Sequence, residues 1–269
     1  MKVKNKVFVV TGAGGGIGGE LVLQLLSRGA RVAAVDLNSD NLQATKHRAS
    51  EKADQLSLHP LNITDKAAVD KLPEEVIKAH GQVDGLINCA GIVQPFVRIN
   101  GLDVAAIERV MSVNFYGTLY MTKSFLPYLL KRSEAHIVNV SSMGGFLPVP
   151  GQSIYGASKA AVKLMTEGLY AELLETPVRV SVVFPGATNT KITENSGVAA
   201  PKTSSADTKK MTARMLPADQ AAKIMLDGIE KNKLYIYTGS DSKLMNRLYR
   251  LNPAYATRLI AKQMKSLLR

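Results

Sequence analysis

The chain has 269 residues, 46% hydrophobic and 21% charged, which is enough to bury one sizeable core and argues against a disordered chain. A single cysteine, Cys89, excludes an internal disulfide and a cysteine metal cluster, so a reducing, cytoplasmic setting is expected. The net charge of +12 raises the question of nucleic acid, but no zinc-finger spacing or aromatic RNA-binding pattern accompanies it, and no nucleic-acid partner is expected.

The opening MKVKNKVFVVTG carries too short an apolar run for a signal peptide. Its Lys6-VFVV-Thr11 reads as a first strand and runs directly into Thr11-GAGGGIGG-Glu20, which enters a helical pattern over 17–28. Glycines at a strand-to-helix turn allow positive φ. They also bring a pyrophosphate against backbone N–H groups at the positive end of a helix. A dinucleotide site is therefore expected at Gly12, Gly14, Gly15, Gly16, Ile17 and Gly18. The second strand, Arg31-VAAV-Asp36, ends on a carboxylate placed to accept from an adenosine ribose and to repel a 2′-phosphate. Leu37 follows it, and the glycine turn has no Lys or Arg, so NAD(H) is expected over NADP(H).

Further along, a helix over 40–51 precedes the strand Asp54-QLSLH-Pro60, and a helix over 65–80 opens on the capping residue Asp65. The strand Asp84-GLI-Asn88 leads to a long helical pattern over 103–131, then the strand His136-IVNV-Ser141 and a helix over 154–175. Val178-RVSVV-Phe184, a helix over 217–231 and Lys233-LYIY-Thr238 complete the alternation. Seven apolar strands separated by helices predict an α/β doubly wound parallel sheet, a Rossmann fold with helices on both faces. Its ligand site lies beyond the carboxyl ends of the strands.

Tyr155-GAS-Lys159 places two side chains on one face of the helix over 154–175. Asn139-Val-Ser-Ser142 ends the strand before it, and Asn114 lies in the preceding long helix. Together these residues resemble the short-chain dehydrogenase/reductase family, over residues 4–240. The cofactor motif stands as Thr11-Gly12-x-x-x-Gly16-Ile17-Gly18, and the family's Asn-Asn-Ala-Gly as Asn88-Cys89-Ala90-Gly91. Pro185-Gly186 with Thr188 and Thr190 matches a third motif, while Asn62-Ile63 replaces the usual Asp-Val beside the adenine. The resemblance implies cofactor contacts from all of these residues and from Asp36, Leu37, Tyr155 and Lys159. It also implies a catalytic set of Asn114, Ser142, Tyr155 and Lys159.

The chemistry suits the set. An ordinary tyrosine titrates near 10, too high for a base at neutral pH, and a lysine one turn away with an oxidised nicotinamide would favour the phenolate. By the same resemblance Lys159 binds the nicotinamide ribose, Ser142 donates to the substrate oxygen and Asn114 holds a relay water. The expected activity is reversible hydride transfer between NAD(H) and a secondary alcohol or ketone. An NADP(H)-dependent ketone or 3-oxoacyl reductase is the alternative enzyme, and a nucleotide-binding regulator without turnover is the alternative of another class. A homodimer or homotetramer built on the helices over 103–131 and 154–175 is implied as well.

The polar segment 191–216 is expected to form a substrate lid, with specificity shared by Gln94 to Ile99 and Met143 to Gln152. Phe146, Leu147, Val149 and Pro150 are expected to wall the pocket and favour a hydrophobic substrate. Cys89 reads as a buried filler and Asn88 as a joint between strands, while the four scattered histidines form no metal-ligand spacing. The organisation is then a catalytic domain over 1–240 and a basic amphipathic helical extension over 241–269. Over 243–269, Lys243, Arg247, Arg250, Arg258, Lys262, Lys265 and Arg269 stand without any acid. Peripheral membrane contact and packing on the protein's own or a partner subunit are both open readings of it.

Overall fold

A computed structural model describes residues 1–199 and 215–265. Its strands are β1 (Val7–Thr11), β2 (Arg31–Asp36), β3 (Leu56–Pro60), β4 (Gly85–Asn88), β5 (Ala135–Val140), β6 (Val178–Pro185), the two-residue β7 (Thr188–Asn189) and β8 (Leu216–Pro217), and β9 (Tyr235–Thr238). The helices are α1 (Gly16–Ser27), α2 (Ser39–Ala49), α3 (Lys66–His80), α4 (Val104–Met111), α5 (Thr118–Leu129), α6 (Ser153–Glu172), α7 (Ile192–Asn195), α8 (Ala218–Glu230), α9 (Ser240–Leu251) and α10 (Pro253–Gln263).

Seven strands form one parallel sheet in the order β3-β2-β1-β4-β5-β6-β9. Period-two alternation divides its residues between two cores. Phe8, Val10, Val32 and Ala34 pack with Leu21, Leu25 and Leu26 of α1 and Met225 and Leu226 of α8. Val7, Val9, Ala33 and Val35 face Val69, Leu72 and Val76 of α3 with Met121 and Phe125 of α5. With both faces covered, every position of β1 and β5 is buried, which is why β1 is an apolar run up to Thr11 and β5 is apolar apart from His136 and Asn139, whose side chains are hydrogen-bonded. The winding reverses between β1 and β4, and that crevice positions the site. Asp65 caps α3 by accepting from the backbone N–H groups of Ala67 and Ala68.

The helix expected over 103–131 is instead α4, a wide π-type turn over Ser112–Gly117, and α5. Two contacts pin the turn. Asn114 is tied to the backbone of Ile92, and Gly117 lies where an added Cβ would come within 2.6 Å of Ile63 Cδ1.

Beyond β9 the chain forms two helices divided at Asn252-Pro253, where Asn252 Oδ1 accepts from Tyr255 N–H at 3.0 Å. Their inner residues Met245, Leu248, Tyr249, Ala256, Ile260 and Met264 pack on Met143, Phe146, Leu147 and Val149. This corrects the expected apolar substrate wall: Leu147 is fully buried and Phe146 stacks edge-on against Phe184, because the amphipathic helices claim that surface. Two hydrogen bonds fasten α9 to the end of β6. Ser242 Oγ donates to Phe184 O at 2.9 Å, and Asp241 Oδ2 accepts from Ala187 N–H at 2.9 Å. Parallel pairing of β7 with β8 joins the two ends of the segment expected as a lid, of which residues 200–214 lie outside the described residues. Among the described residues, no helix is long and apolar enough to cross a membrane.

Candidate active site

A cavity of about 550 Å³ opens at the carboxyl ends of β1 and β4. The glycine turn forms its floor. Gly12 and Gly16 take φ of +70° and +53°, and a Cβ on Gly12 would meet Ala90 N and Cα at 2.9 Å. A Cβ on Gly18 would lie 2.0 Å from Gly12 O, so α1 starts hard against the turn. Gly19 makes only ordinary contacts, at 3.6 Å. Thr11 Oγ1 accepts from Cys89 and Ala90 N–H at 3.0 and 3.1 Å and locks the ends of β1 and β4 together. The first turn of α1 has no side-chain cap and no acid, so its N–H groups remain available to an anion.

Asp36 is fixed at the end of β2. Its Oδ2 accepts from Gly14 N–H at 2.9 Å and its Oδ1 from Asn38 N–H at 3.0 Å. A Cβ on Gly14 would strike Asn41 Cβ at 2.7 Å and Asp36 Cγ at 2.9 Å, so this glycine is needed for the carboxylate's position as well as for an uncharged turn. The segment 36–41, Asp-Leu-Asn-Ser-Asp-Asn, contains no cation. Asn62 Oδ1 is occupied by the N–H and hydroxyl of Thr64, while Ile63 packs on Gly117.

At the other end of the cavity stand Ser142, Tyr155 and Lys159. Burial pushes the Tyr155 phenol up, partly offset by the neighbouring Ser142 hydroxyl, and burial pulls the Lys159 ammonium down to about 8. Within the protein alone the expected lowering of Tyr155 does not occur, because desolvation of the phenolate outweighs its polar contacts. Lys159 Nζ donates to Val140 O at 2.9 Å. Ser141, the neighbour of Ser142, is buried and donates to Lys159 O at 2.7 Å.

Asn114 and Asn88 lie behind the cavity. Asn114 Oδ1 accepts from Ile92 N–H at 2.8 Å, and its Nδ2 donates to Ile92 O and Ser158 Oγ, both at 2.9 Å. Asn88 Nδ2 donates to Thr122 Oγ1 and Asn139 Oδ1 at 3.2 and 2.8 Å, a joint between β4 and β5 that does not line this cavity. Cys89 lines the cavity, and burial pushes its thiol up to about 12, which leaves it unreactive. The remaining expected residues, Leu37, Ala90, Gly91, Pro185, Gly186, Thr188 and Thr190, all line the cavity.

Sequence reasoning missed one group and the role of another, which it placed in the specificity segments. Ile92, Val93, Ile192 and Asn195 supply much of the remaining wall. Ser196 ties Val93 to Ile192, its Oγ accepting from Val93 N–H at 2.9 Å and donating to Ile192 O at 2.6 Å, and its carbonyl accepts from Arg109. The second group is Gln94 with Gln152. Gln94 Oε1 accepts from Ile154 and Tyr155 N–H at 2.8 and 2.9 Å, its Nε2 donates to Gly151 O at 3.0 Å, and Gln152 Nε2 donates to Gln94 O at 2.9 Å. Gln94 thus caps the helix that carries Tyr155 and Lys159, which has no cap of its own. No local signal announces this.

Known proteins are similar to this chain in sequence and fold. The short chain dehydrogenase family model matches residues 6–200. SadH of Mycobacterium tuberculosis, named as an oxidoreductase, is 33% identical over 262 residues, 96% of this chain and 95% of that one. A Staphylococcus epidermidis chain, also named as an oxidoreductase, is 36% identical over 193 residues, covering 72% and 82%. The crystal structure of a short-chain dehydrogenase/reductase from Burkholderia phymatum in complex with NAD superposes with a TM-score of 0.84 at 26% identity, covering 95% and 96%. One from Burkholderia cenocepacia in complex with NADP gives 0.80 at 26%, covering 97% and 99%. The chain belongs to the short-chain dehydrogenase/reductase family and is an NAD(P)-dependent oxidoreductase.

Proposed function

We propose that the protein catalyses reversible oxidation of a secondary alcohol to a ketone with NAD(H). The observation that carries this is that the half-buried Tyr155, with Ser142 and Lys159, lines the same cavity as the glycine turn and Asp36. Gly12, Gly16, Gly18 and the uncapped start of α1 suit a pyrophosphate, and Asp36 suits a ribose diol. Bound there, the oxidised nicotinamide supplies a hydride acceptor and a positive charge. Tyr155 Oη takes the alcohol proton in oxidation and returns it in reduction, Ser142 Oγ donates to the substrate oxygen, and Lys159 Nζ adds positive charge beside the phenolate. Asn114 holds the wide turn through its bonds to Ile92, and the family resemblance would give it a relay water. Oxidation then rises with pH toward the Tyr155 pKa, while reduction falls above it. Tyr155→Phe should retain NADH binding by fluorescence titration and lose turnover by about a hundredfold or more; wild-type turnover in that variant would refute the assignment.

The preference for NAD rests on Asp36 and the cation-free segment beside it. Titration with NADH and NADPH should show the former binding more tightly. Ile92, Val93 and Ile192 favour a hydrophobic alcohol or ketone, which a panel of secondary alcohols with NAD would test.

A further inference from the structure

The two C-terminal helices have two unlike faces. The inner face closes the apolar cluster over Met143, Phe146, Leu147 and Val149. Outside, Leu251 is 85% exposed, the highest value for a large hydrophobic side chain among the described residues, with Leu244 at 65% and Tyr255 at 54%. Leu244 and Leu251 stand two turns apart on one face of α9, with Arg247 between them and Lys243 and Arg250 alongside. Past the bend, Tyr255, Arg258 and Lys262 are exposed on α10. From 242 to 265 there is no acid, and Asp241 is occupied by the N–H of Ala187.

We infer that this outer face docks on the surface of an anionic lipid bilayer. Leu244, Leu251 and Tyr255 would enter the boundary between headgroups and acyl chains, and Lys243, Arg247, Arg250, Arg258 and Lys262 would meet the headgroup phosphates. Charge and apolarity together select the occupant. A second copy would set the same cations against one another across a two-fold axis, and a nucleic acid offers no apolar layer for leucines this exposed. Helices with no membrane-crossing length but with interleaved apolar and basic exposed positions match an interfacial layer. The inner face of the same helices covers the loop that follows Ser142, so docking brings the catalytic end of the molecule against the membrane. Docking itself does not depend on the proposed alcohol chemistry, and its test uses no turnover.

The intact protein would be sedimented with phosphatidylcholine vesicles, with and without phosphatidylserine, at low and high salt. The expected result is pelleting with the anionic vesicles alone, weakened by salt. A Leu244→Asp/Leu251→Asp double variant and an Arg247→Glu/Arg258→Glu double variant should each lose about tenfold in partitioning. Unchanged melting temperature and NADH binding in both variants would show that the fold and the cofactor site are intact. Three results would overturn the inference. These are no pelleting of the wild-type protein, pelleting of the leucine variant equal to wild type, and dissociation of an oligomer by the leucine substitutions in the absence of vesicles.

Discussion

Gly91 leaves the space that the Lys159 ammonium needs, since a Cβ there would lie 3.0 Å from Nζ and 3.3 Å from Asn114 Oδ1. Gly91→Ala is therefore expected to slow turnover about tenfold or more by displacing the lysine, read as kcat with the melting temperature as control. Gln94 acts at a distance. Gln94→Ala leaves two part-buried N–H groups of the first turn of α6 without their acceptor and should cost about 1–2 kcal/mol of stability. Tyr155 would then be less firmly placed, so kcat should fall while NADH affinity holds. These two residues show what could be read in advance. Gly91, Tyr155 and Lys159 sit in short motifs whose spacing is local. Gln94 reaches a partner 60 residues away through a backbone contact, and no residue pattern encodes such a meeting. The direction of the Tyr155 shift was hidden for a related reason: spacing shows the neighbouring cation, whereas burial is a property of the whole fold.

Strand β5 places His136 in the interior of the sheet. Ser181 Oγ donates to Lys233 O, so it accepts from His136 Nε2–H at 2.8 Å, and Nδ1 has no partner. Burial, with nearby positive charge, pulls this imidazole from 6.5 to about 3, and His80 is pulled to about 4. A neutral form favoured in the fold means that the unfolded chain binds the extra proton first. Stability is thus complete above about pH 6.5 and is lost as pH falls toward 3, at up to about 1.4 kcal/mol per pH unit for each group. His136→Gln should flatten the fall of melting temperature between pH 6.5 and 4; an unchanged slope would place the acid sensitivity elsewhere. At this scale the strands were legible because a twice-covered sheet requires continuous apolar runs. The wide turn inside 103–131 was not, because its cause is the tie between Asn114 and Ile92. The setting of Phe146 and Leu147 escaped notice similarly, as an apolar loop has the same composition whether it faces a substrate or a helix.

Across the whole molecule, exposed apolar side chains also gather on α4, the wide turn and α6 with its end: Val104, Tyr116, Leu164, Tyr170 and Leu174. We expect these to form the contact of a homodimer or homotetramer, and Leu164→Asp, a change at a site 69% exposed, should yield a smaller species in sedimentation velocity. The sheet order has a further consequence, in time. After β1 the chain adds β2 and β3 on one side, then β4, β5 and β6 on the other, and β6 keeps an open edge until β9 arrives some fifty residues later. A nascent chain paused in that interval carries the apolar Val180-Ser-Val-Val-Phe184 with one side unpaired, the kind of edge at which unfinished chains join. Translation halted before Tyr235 should therefore yield aggregates, whereas release after Thr238 closes the sheet with the chain's own strand.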